Sequence, residues 1–239
     1  CYIVSDEIEN PDAILVRSAK MHDYEVNPEL LCVARAGAGT NNIPVDKFAE
    51  MGIVVFNTPG ANAEAVKELA LCAMLLSSRD IVGGIEWVKS IAHKGDEVAA
   101  LVEKSKSQFV GPEICGKTLG VIGLGAVGAK VAQAAVALGM TVYGYDPYLS
   151  VDAAWRMATE VRHAKDIDTI LKNSDYITIH APYMDSTHHM LCAANLYKMK
   201  KGVRIINLAR AELVCDDDMI KALDDGQVAC YVTDFPNGK

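Results

Sequence analysis

Apolar positions along this chain fall into two kinds of run. Residues 13–17, 31–35, 53–56, 118–122, 141–145, 176–179, 204–207 and 229–233 form short runs, several of them apolar at successive positions. Strands buried on both faces of a parallel sheet have this texture, whereas a strand with one wet face alternates. Between them, helical spacing covers 45–51, 62–78, 126–138, 166–172 and 216–223. Asn62 and Asp216 read as N-caps, the second opening an acidic first turn that suits the helix dipole. Alternation of this kind predicts a doubly wound α/β fold.

The texture changes between about Arg79 and Gly111. No strand signal occurs there, and the stretch reads as one long helix followed by a polar segment with lysines and serines. The expected organisation is a first module over 1–78, a bridge over 79–111 and a second module over 112–239.

Composition narrows the classes. With 51% hydrophobic and 23% charged residues the chain can fill a core and is not disordered. A net charge of −8 argues against nucleic acid or an anionic membrane surface as the main partner. A phosphorylated metabolite would have to be met by a local cluster of cations. The seven cysteines include no CxxC pair, and no secretory leader is visible, so a reducing cytoplasm is the expected compartment. No apolar run approaches the roughly 20 residues that span a bilayer. The chain opens on Cys1 and stops at Lys239 just after an apparent strand, which suggests a fragment.

Strand 118–122 runs directly into Gly123-Leu124-Gly125-Ala126-Val127-Gly128 and then into a helix. A lone GxGxxG is weak evidence. Between a strand and a helix, however, the three glycines serve different ends. Gly123 permits the tight turn, Gly125 lets backbone approach a pyrophosphate, and Gly128 lets the helix pack on the strand. The helix N-terminus, with the N–H groups of Ala126 and Val127, adds unpaired donors for phosphate. The next strand ends at Asp146, eighteen residues after Gly128, where a carboxylate meets ribose hydroxyls and repels a 2′-phosphate. These features predict a Rossmann domain binding NAD.

Four further stretches carry a resemblance. Asp175-Tyr176-Ile177-Thr178-Ile179-His180-Ala181-Pro182 with Thr187, Asn207-Leu208-Ala209-Arg210, Arg35-Ala36-Gly37-Ala38-Gly39, and Asn57-Thr58-Pro59-Gly60 leading into Val66-Lys67-Glu68-Leu69 occur in one family's order over nearly the whole chain. The sequence resembles the D-2-hydroxyacid dehydrogenases, most closely the phosphoglycerate dehydrogenase type through Val16-Arg17-Ser18, Arg35-Ala36-Gly37 and Tyr145-Asp146-Pro147. The resemblance implies a flavodoxin-like substrate domain, incomplete here, beside the cofactor domain. It implies Arg210 as the catalytic cation and Gly37, Ala38 and Gly39 as donors to the substrate carboxylate. Arg17, with Lys20 or Arg35, would bind a substrate phosphate. His180, Ala181, Pro182, Thr187, Ala209 and Asp234 would border the cofactor, the last at the nicotinamide carboxamide. The implied assembly is a homodimer through the cofactor domain.

Each assignment has a bland rival. Arg17 and Arg35 can pair with Glu29 or Asp12, and Arg210 can be a surface residue at a strand end. His180 is tempting as a base, but the resemblance puts it beside the cofactor. His188, His189 and Cys192 hint at a metal, yet an exposed helix turn accounts for them better. The pattern is also departed from. The position five after Asp234 is Lys239 where the family has glutamate, and the family's Pro-His base would lie past the last residue. Ala211 replaces a usual glycine, which matters if that backbone needs φ > 0, and Asn41 replaces a usual aspartate. The expected reaction is NAD-dependent oxidation of 3-phospho-D-glycerate to 3-phosphohydroxypyruvate, the opening step of serine synthesis. The alternatives are a dehydrogenase for glycerate, glyoxylate or D-lactate, and a non-catalytic NAD(H)-binding scaffold.

Overall fold

The computed structural model describes residues 3–236 and Gly238; Cys1 and Lys239, both named above, lie outside the described residues. The chain divides into two units, Cys1–Ala63 and Glu64–Lys239. In the first, β1 (Ala13–Val16), β2 (Cys32–Arg35) and β3 (Val54–Asn57) form a parallel sheet in that order, with α1 (Val45–Glu50) between the last two. Its core is Val16, Met21, Leu30, Val33, Ile43, Phe48 and Ile53.

The second unit begins with helix α2 (Ala63–Ser78), then α3 (Ile81–Ile91) and α4 (Val98–Ser105). The sequence pattern assigns α2 to the first module. Its buried side chains Ala70, Ala73 and Met74 instead pack with Leu119, Val121, Val131 and Ala135 of the second unit. Met74 alone, fully buried, contributes about 2 kcal/mol to that attachment. Two polar links agree: Ser78 Oγ and Tyr176 Oη are 2.8 Å apart, and Arg204 Nε donates to the Ser77 carbonyl at 2.7 Å. The long helix expected ahead of a polar segment within 79–111 is broken. Asp80 caps α3 by accepting from Gly83 N–H at 2.9 Å, and Gly95, at φ 56°, interrupts the 3-10 turn that leads into α4.

Six parallel strands follow: β4 (Thr118–Ile122), β5 (Thr141–Tyr145), β6 (Arg162–His163), β7 (Tyr176–Ile179), β8 (Val203–Asn207) and β9 (Val228–Thr233). Their spatial order is β6-β5-β4-β7-β8-β9, the dinucleotide-binding arrangement, and it reverses direction between β4 and β7. Two separate cores explain the unbroken apolar runs. On one face α2 and α5 (Ala126–Ala137) cover Leu119, Val121 and Ile206. On the other, α7 (Ile167–Asn173), α8 (Ala193–Leu196) and α9 (Asp216–Asp224) cover Ile122, Ile177, Ile179 and Ile205. Strands β4, β7 and β8 are therefore buried on both faces.

Helix α6 (Val151–Trp155), strand β6 and helix α8, at two to five residues each, are too short for a periodic signal and are absent from the sequence expectations. One cap also differs. The N-cap of α9 is Cys215, with Asp216, Asp217 and Asp218 inside the first turn. Glu64 joins α2 to α5 by pairing with both Lys67 and Lys130, and those bonds, Lys130's foremost, hold its carboxyl down to about 2.

Candidate functional site

Five predicted site residues stand at or just beyond the carboxyl ends of neighbouring strands: Gly123 after β4, Asp146 after β5, His180 after β7, Arg210 three residues past β8, and Asp234 after β9. Ligands of open parallel sheets bind at this edge, in the crevice where strand order reverses.

The three glycines of the turn are required for different reasons. Gly123 has φ 90°, its N–H donates to the Tyr145 carbonyl at 2.8 Å, and a Cβ there would fall 2.7 Å from the His180–Ala181 peptide. At Gly128 a Cβ would lie 1.9 Å from the Gly123 carbonyl oxygen. Those two are demanded by the protein's own backbone. Gly125 is not: φ is −67° and nothing stands within 4 Å of its would-be Cβ. The open space lies over the N-terminus of a twelve-residue helix, where the first-turn N–H groups of Ala126, Val127 and Gly128 have no intrahelical partner. That cradle fits a pyrophosphate, and a side chain at 125 would fill it.

Asp146 borders the turn. One carboxylate oxygen accepts from Leu124 N–H and the other from Tyr148 N–H, both at 2.9 Å. The group is thereby fixed with lone pairs left for ribose hydroxyls. A concavity of ≈ 510 Å³ flanks Asp146, Pro147, Ser150, Trp155 and His163, but no residue of the glycine turn lines it.

His180 donates its backbone N–H to the Ile122 carbonyl at 2.7 Å, which seats the loop after β7 against the turn. Its Nε2 lies 3.0 Å from Thr178 Oγ1, and burial lowers the ring to about 4. At neutral pH the imidazole is uncharged. Thr187 shapes the same loop, since its hydroxyl accepts from Met184 N–H at 2.8 Å and lies 2.9 Å from the Pro182 carbonyl. His188 and His189 stack at 3.8 Å in an irregular segment beyond that loop, with His189 at φ 50°. The helix turn expected there is a 3-10 turn that ends at Thr187.

Arg210 follows a tight bend. Its Nη1 donates to the Ala209 carbonyl at 2.7 Å. Asn207, 0% exposed, holds the bend: Nδ2 donates to the Arg210 carbonyl at 2.8 Å, and Oδ1 accepts from Ala209 N–H at 3.1 Å. Ala211 opens a 3-10 turn, and among the described residues His189 is the only non-glycine at positive φ. Alanine at 211 is therefore tolerated. Asp234 is exposed just past β9.

The first unit gathers a different set. Ser18, Lys20, His22, Arg35, Asn41 and Asn42 line a concavity of ≈ 470 Å³. Asn42 Nδ2 braces the preceding loop by donating to the Ala19 carbonyl at 2.8 Å. Arg35 Nε and Asn42 Oδ1 are buried without a hydrogen-bond partner among the described residues. Exposed Arg17 is not part of this lining, whereas His22 is, with Nε2 3.0 Å from the Asn41 carbonyl oxygen. In the small-residue loop, Gly37 leaves room for the Arg35 guanidinium, whose Nη1 would lie 2.3 Å from a Cβ there. The Gly37 N–H is already taken up by Thr58 Oγ1 at 2.8 Å, and the Ala38 carbonyl accepts from Asn57 Nδ2 at 2.7 Å. Of the three donors expected for a carboxylate, Gly37 is thus engaged elsewhere, which leaves Ala38 and Gly39 as the candidates. Asn207, Thr58 and His22 escaped the sequence assignment of site roles. A buried asparagine closing an apolar strand was the one local signal available.

The fold and the strand-end residues define a dinucleotide-binding α/β protein of the dehydrogenase type. Residues 71–238 match the D-isomer specific 2-hydroxyacid dehydrogenase, NAD binding domain, and the chain belongs to that family. It is 34% identical over 232 residues to the D-3-phosphoglycerate dehydrogenase of Methanocaldococcus jannaschii, covering 96% of this chain and 42% of that protein. Against the hydroxypyruvate reductase of Thermotoga maritima it is 37% identical over 224 residues, covering 92% of this chain and 68% of the relative. The apo D-mandelate dehydrogenase of Rhodotorula graminis superposes with a TM-score of 0.76 at 27% identity, over 95% of this chain and 68% of that one. The chain thus spans less than half the length of the phosphoglycerate dehydrogenase it matches.

Proposed function

We propose that this protein oxidises 3-phospho-D-glycerate to 3-phosphohydroxypyruvate with NAD, as an entry to serine synthesis in the cytoplasm. One observation carries the phosphate in that reading: the concavity lined by Lys20, His22 and Arg35 with Ser18, Asn41 and Asn42. In a chain of net charge −8, three basic side chains with hydroxyl and amide groups between them suit a doubly charged anion. The free thiols of Cys32, Cys72, Cys115, Cys192, Cys215 and Cys230 fit a reducing compartment. Among the described residues no helix is long and apolar enough to cross a membrane.

When bound, NAD supplies a hydride acceptor. The chain's residues bind and orient. Gly125 and the first turn of α5 receive the pyrophosphate, Asp146 the ribose hydroxyls, and Asp234 the nicotinamide carboxamide. Ala181 and Pro182 flank the cofactor with neutral His180, and Ala209 lies next to the reacting end. Arg210 presents a permanent, planar cation to the 2-hydroxy acid, holding its carboxylate and favouring the charge that develops on the carbonyl oxygen. In the first unit, Ala38 and Gly39 keep backbone N–H groups available for a carboxylate.

The test is turnover of 3-phosphoglycerate, D-glycerate and D-lactate with NAD by protein from the complete gene, in wild type and Lys20→Ala/Arg35→Ala. The expected result is preference for phosphoglycerate, with KM for it raised at least tenfold in the double variant. Equal use of D-glycerate would replace this reading with a dehydrogenase for an unphosphorylated acid, the direction in which the hydroxypyruvate reductase relative points.

The assembly proposed is a homodimer through the cofactor domain, using α2 and the segment around 79–110. Ile81, Val82, Ile85 and Val88 are exposed on α3, beside an apolar groove of ≈ 440 Å³ reaching Trp87 and Phe109. A single-chain mass by light scattering would refute it.

A further inference from the structure

We infer that Asn207 positions Arg210 for its substrate, with Tyr231 fixing Asn207 in turn. The inference rests on the role given to Arg210 above.

Asn207 is the last residue of β8 and is fully buried, in a strand whose other positions are apolar except for Arg204, which reaches the end of α2. A buried primary amide is tolerated only where its donors and acceptor are met. Here all of them are met, by the bend itself and by one neighbour on β9. Nδ2 donates to the Arg210 carbonyl at 2.8 Å and to Tyr231 Oη at 3.3 Å. Oδ1 accepts from Ala209 N–H at 3.1 Å and Arg210 N–H at 3.4 Å. Both backbone polar groups of Arg210 therefore close on a single side chain.

The consequence for the arginine is geometric. Its backbone is extended, at φ −154° and ψ 142°, and the 3-10 turn starts at the next residue. With N–H and carbonyl both anchored, its Cα has little freedom, and the guanidinium swings from a fixed root. The Nη1 bond to the Ala209 carbonyl removes another degree of freedom and leaves the remaining guanidinium donors for an anion. Tyr231 comes from the neighbouring strand β9, so the bend is tied to the sheet rather than to its own loop. Burial keeps the Tyr231 phenol above its ordinary range, so it stays an uncharged partner.

Asn207→Asp tests the inference. It keeps an acceptor for the two N–H groups and turns an oxygen toward the Arg210 carbonyl in place of a donor. In protein from the complete gene, the expected result is a 10- to 100-fold loss in kcat/KM, the scale of a misplacement of about 1 Å. Oxamate, a 2-oxo acid analogue, should bind the NADH-loaded protein at least tenfold more weakly. Affinity for NADH alone should change less than twofold.

A double-mutant cycle separates positioning from simple structural support. In an Arg210→Ala background, Asn207→Asp should cost nothing further, because there is no guanidinium left to place. Equal losses in both backgrounds, or a folded Asn207→Asp protein that binds oxamate like wild type, would overturn the inference. If Arg210→Ala itself leaves oxamate binding and turnover unchanged, the role of Arg210 fails, and this inference with it. A damaging Arg210→Ala beside a silent Asn207→Asp sinks the positioning role alone. Should Asn207→Asp not fold, Tyr231→Phe decides. It should lose two- to fivefold in kcat/KM, again only when Arg210 is present, and no loss would overturn the inference.

Discussion

Two small-residue loops follow strands in this chain, one in each unit, and they hold their shape largely by different means. The turn after β4 feeds directly into α5, so its conformation is enforced mainly by backbone contacts at Gly123 and Gly128, with one side-chain bond from Asp146 to the Leu124 N–H, while the N–H groups of the helix's first turn stay open. The loop after β2 feeds no helix directly. Side chains of Asn57 and Thr58 at the end of β3 grip it through the Ala38 carbonyl and the Gly37 N–H. A loop of the first kind is a preformed anion site on a rigid helix. One of the second kind depends on the strand beside it, and part of its donor set is used to hold itself.

The sharpest way to break this contrast is within the turn itself. Gly128→Ala would drive a methyl group into the Gly123 carbonyl. We expect a loss of about 3 kcal/mol, at the upper end of overpacking costs because the obstacle is backbone, read as a drop in the denaturant midpoint. Gly125→Val meets open space and an accessible φ. It should cost under about 1 kcal/mol, as expected at an N-cap, while weakening NADH binding at least 100-fold by fluorescence titration. Similar losses of stability in the two variants would show that Gly125 is also structural and would end the distinction.

His180 sharpens the same contrast through pH. Its ring is held at about 4 by burial, against about 6.5 in the unfolded chain. The unfolded state therefore binds the proton first. The stability tied to neutral His180 is fully present above pH 6.5 and is lost as pH falls from 6.5 through 4. The swing is about 3 kcal/mol. Unfolding followed between pH 7 and 4 should show that slope, and His180→Gln should flatten it. An unchanged slope in the variant would mean that the acid sensitivity arises elsewhere.

The same contrast governs what could be read from sequence. The strands other than β6 were legible as short apolar runs, least broken where both faces are buried, and the turn after β4 because its requirements lie within six consecutive residues. Asp146 followed from its distance past Gly128. The grip on the other loop was not legible: Asn57 and Thr58 act on residues 19 and 21 positions away, a relation no local pattern carries. His22 joined Arg35 by the same kind of long-range proximity. The division at Ala63 was missed for a related reason. Helical spacing locates α2 but does not say which sheet receives Ala70, Ala73 and Met74. Two minimal helices and a two-residue strand lacked enough positions to show a period.

The smallest effect belongs to the grip. Thr58→Val removes the hydroxyl that accepts the Gly37 N–H at 2.8 Å, but that N–H also lies 2.9 Å from the Arg35 carbonyl. The hydroxyl's own donation to the Arg35 carbonyl at 3.3 Å is lost with it, and since both bonds are exposed and one is shared, stability should fall by only about 1 kcal/mol. Function should register it differently. Freed from Thr58, Gly37 and its neighbours lose their fixed orientation, and KM for the hydroxy acid should rise two- to fivefold while NADH affinity stays constant. If KM falls instead, the released Gly37 N–H has become an additional donor to the substrate, and the loop would be restrained by Thr58 at the cost of binding.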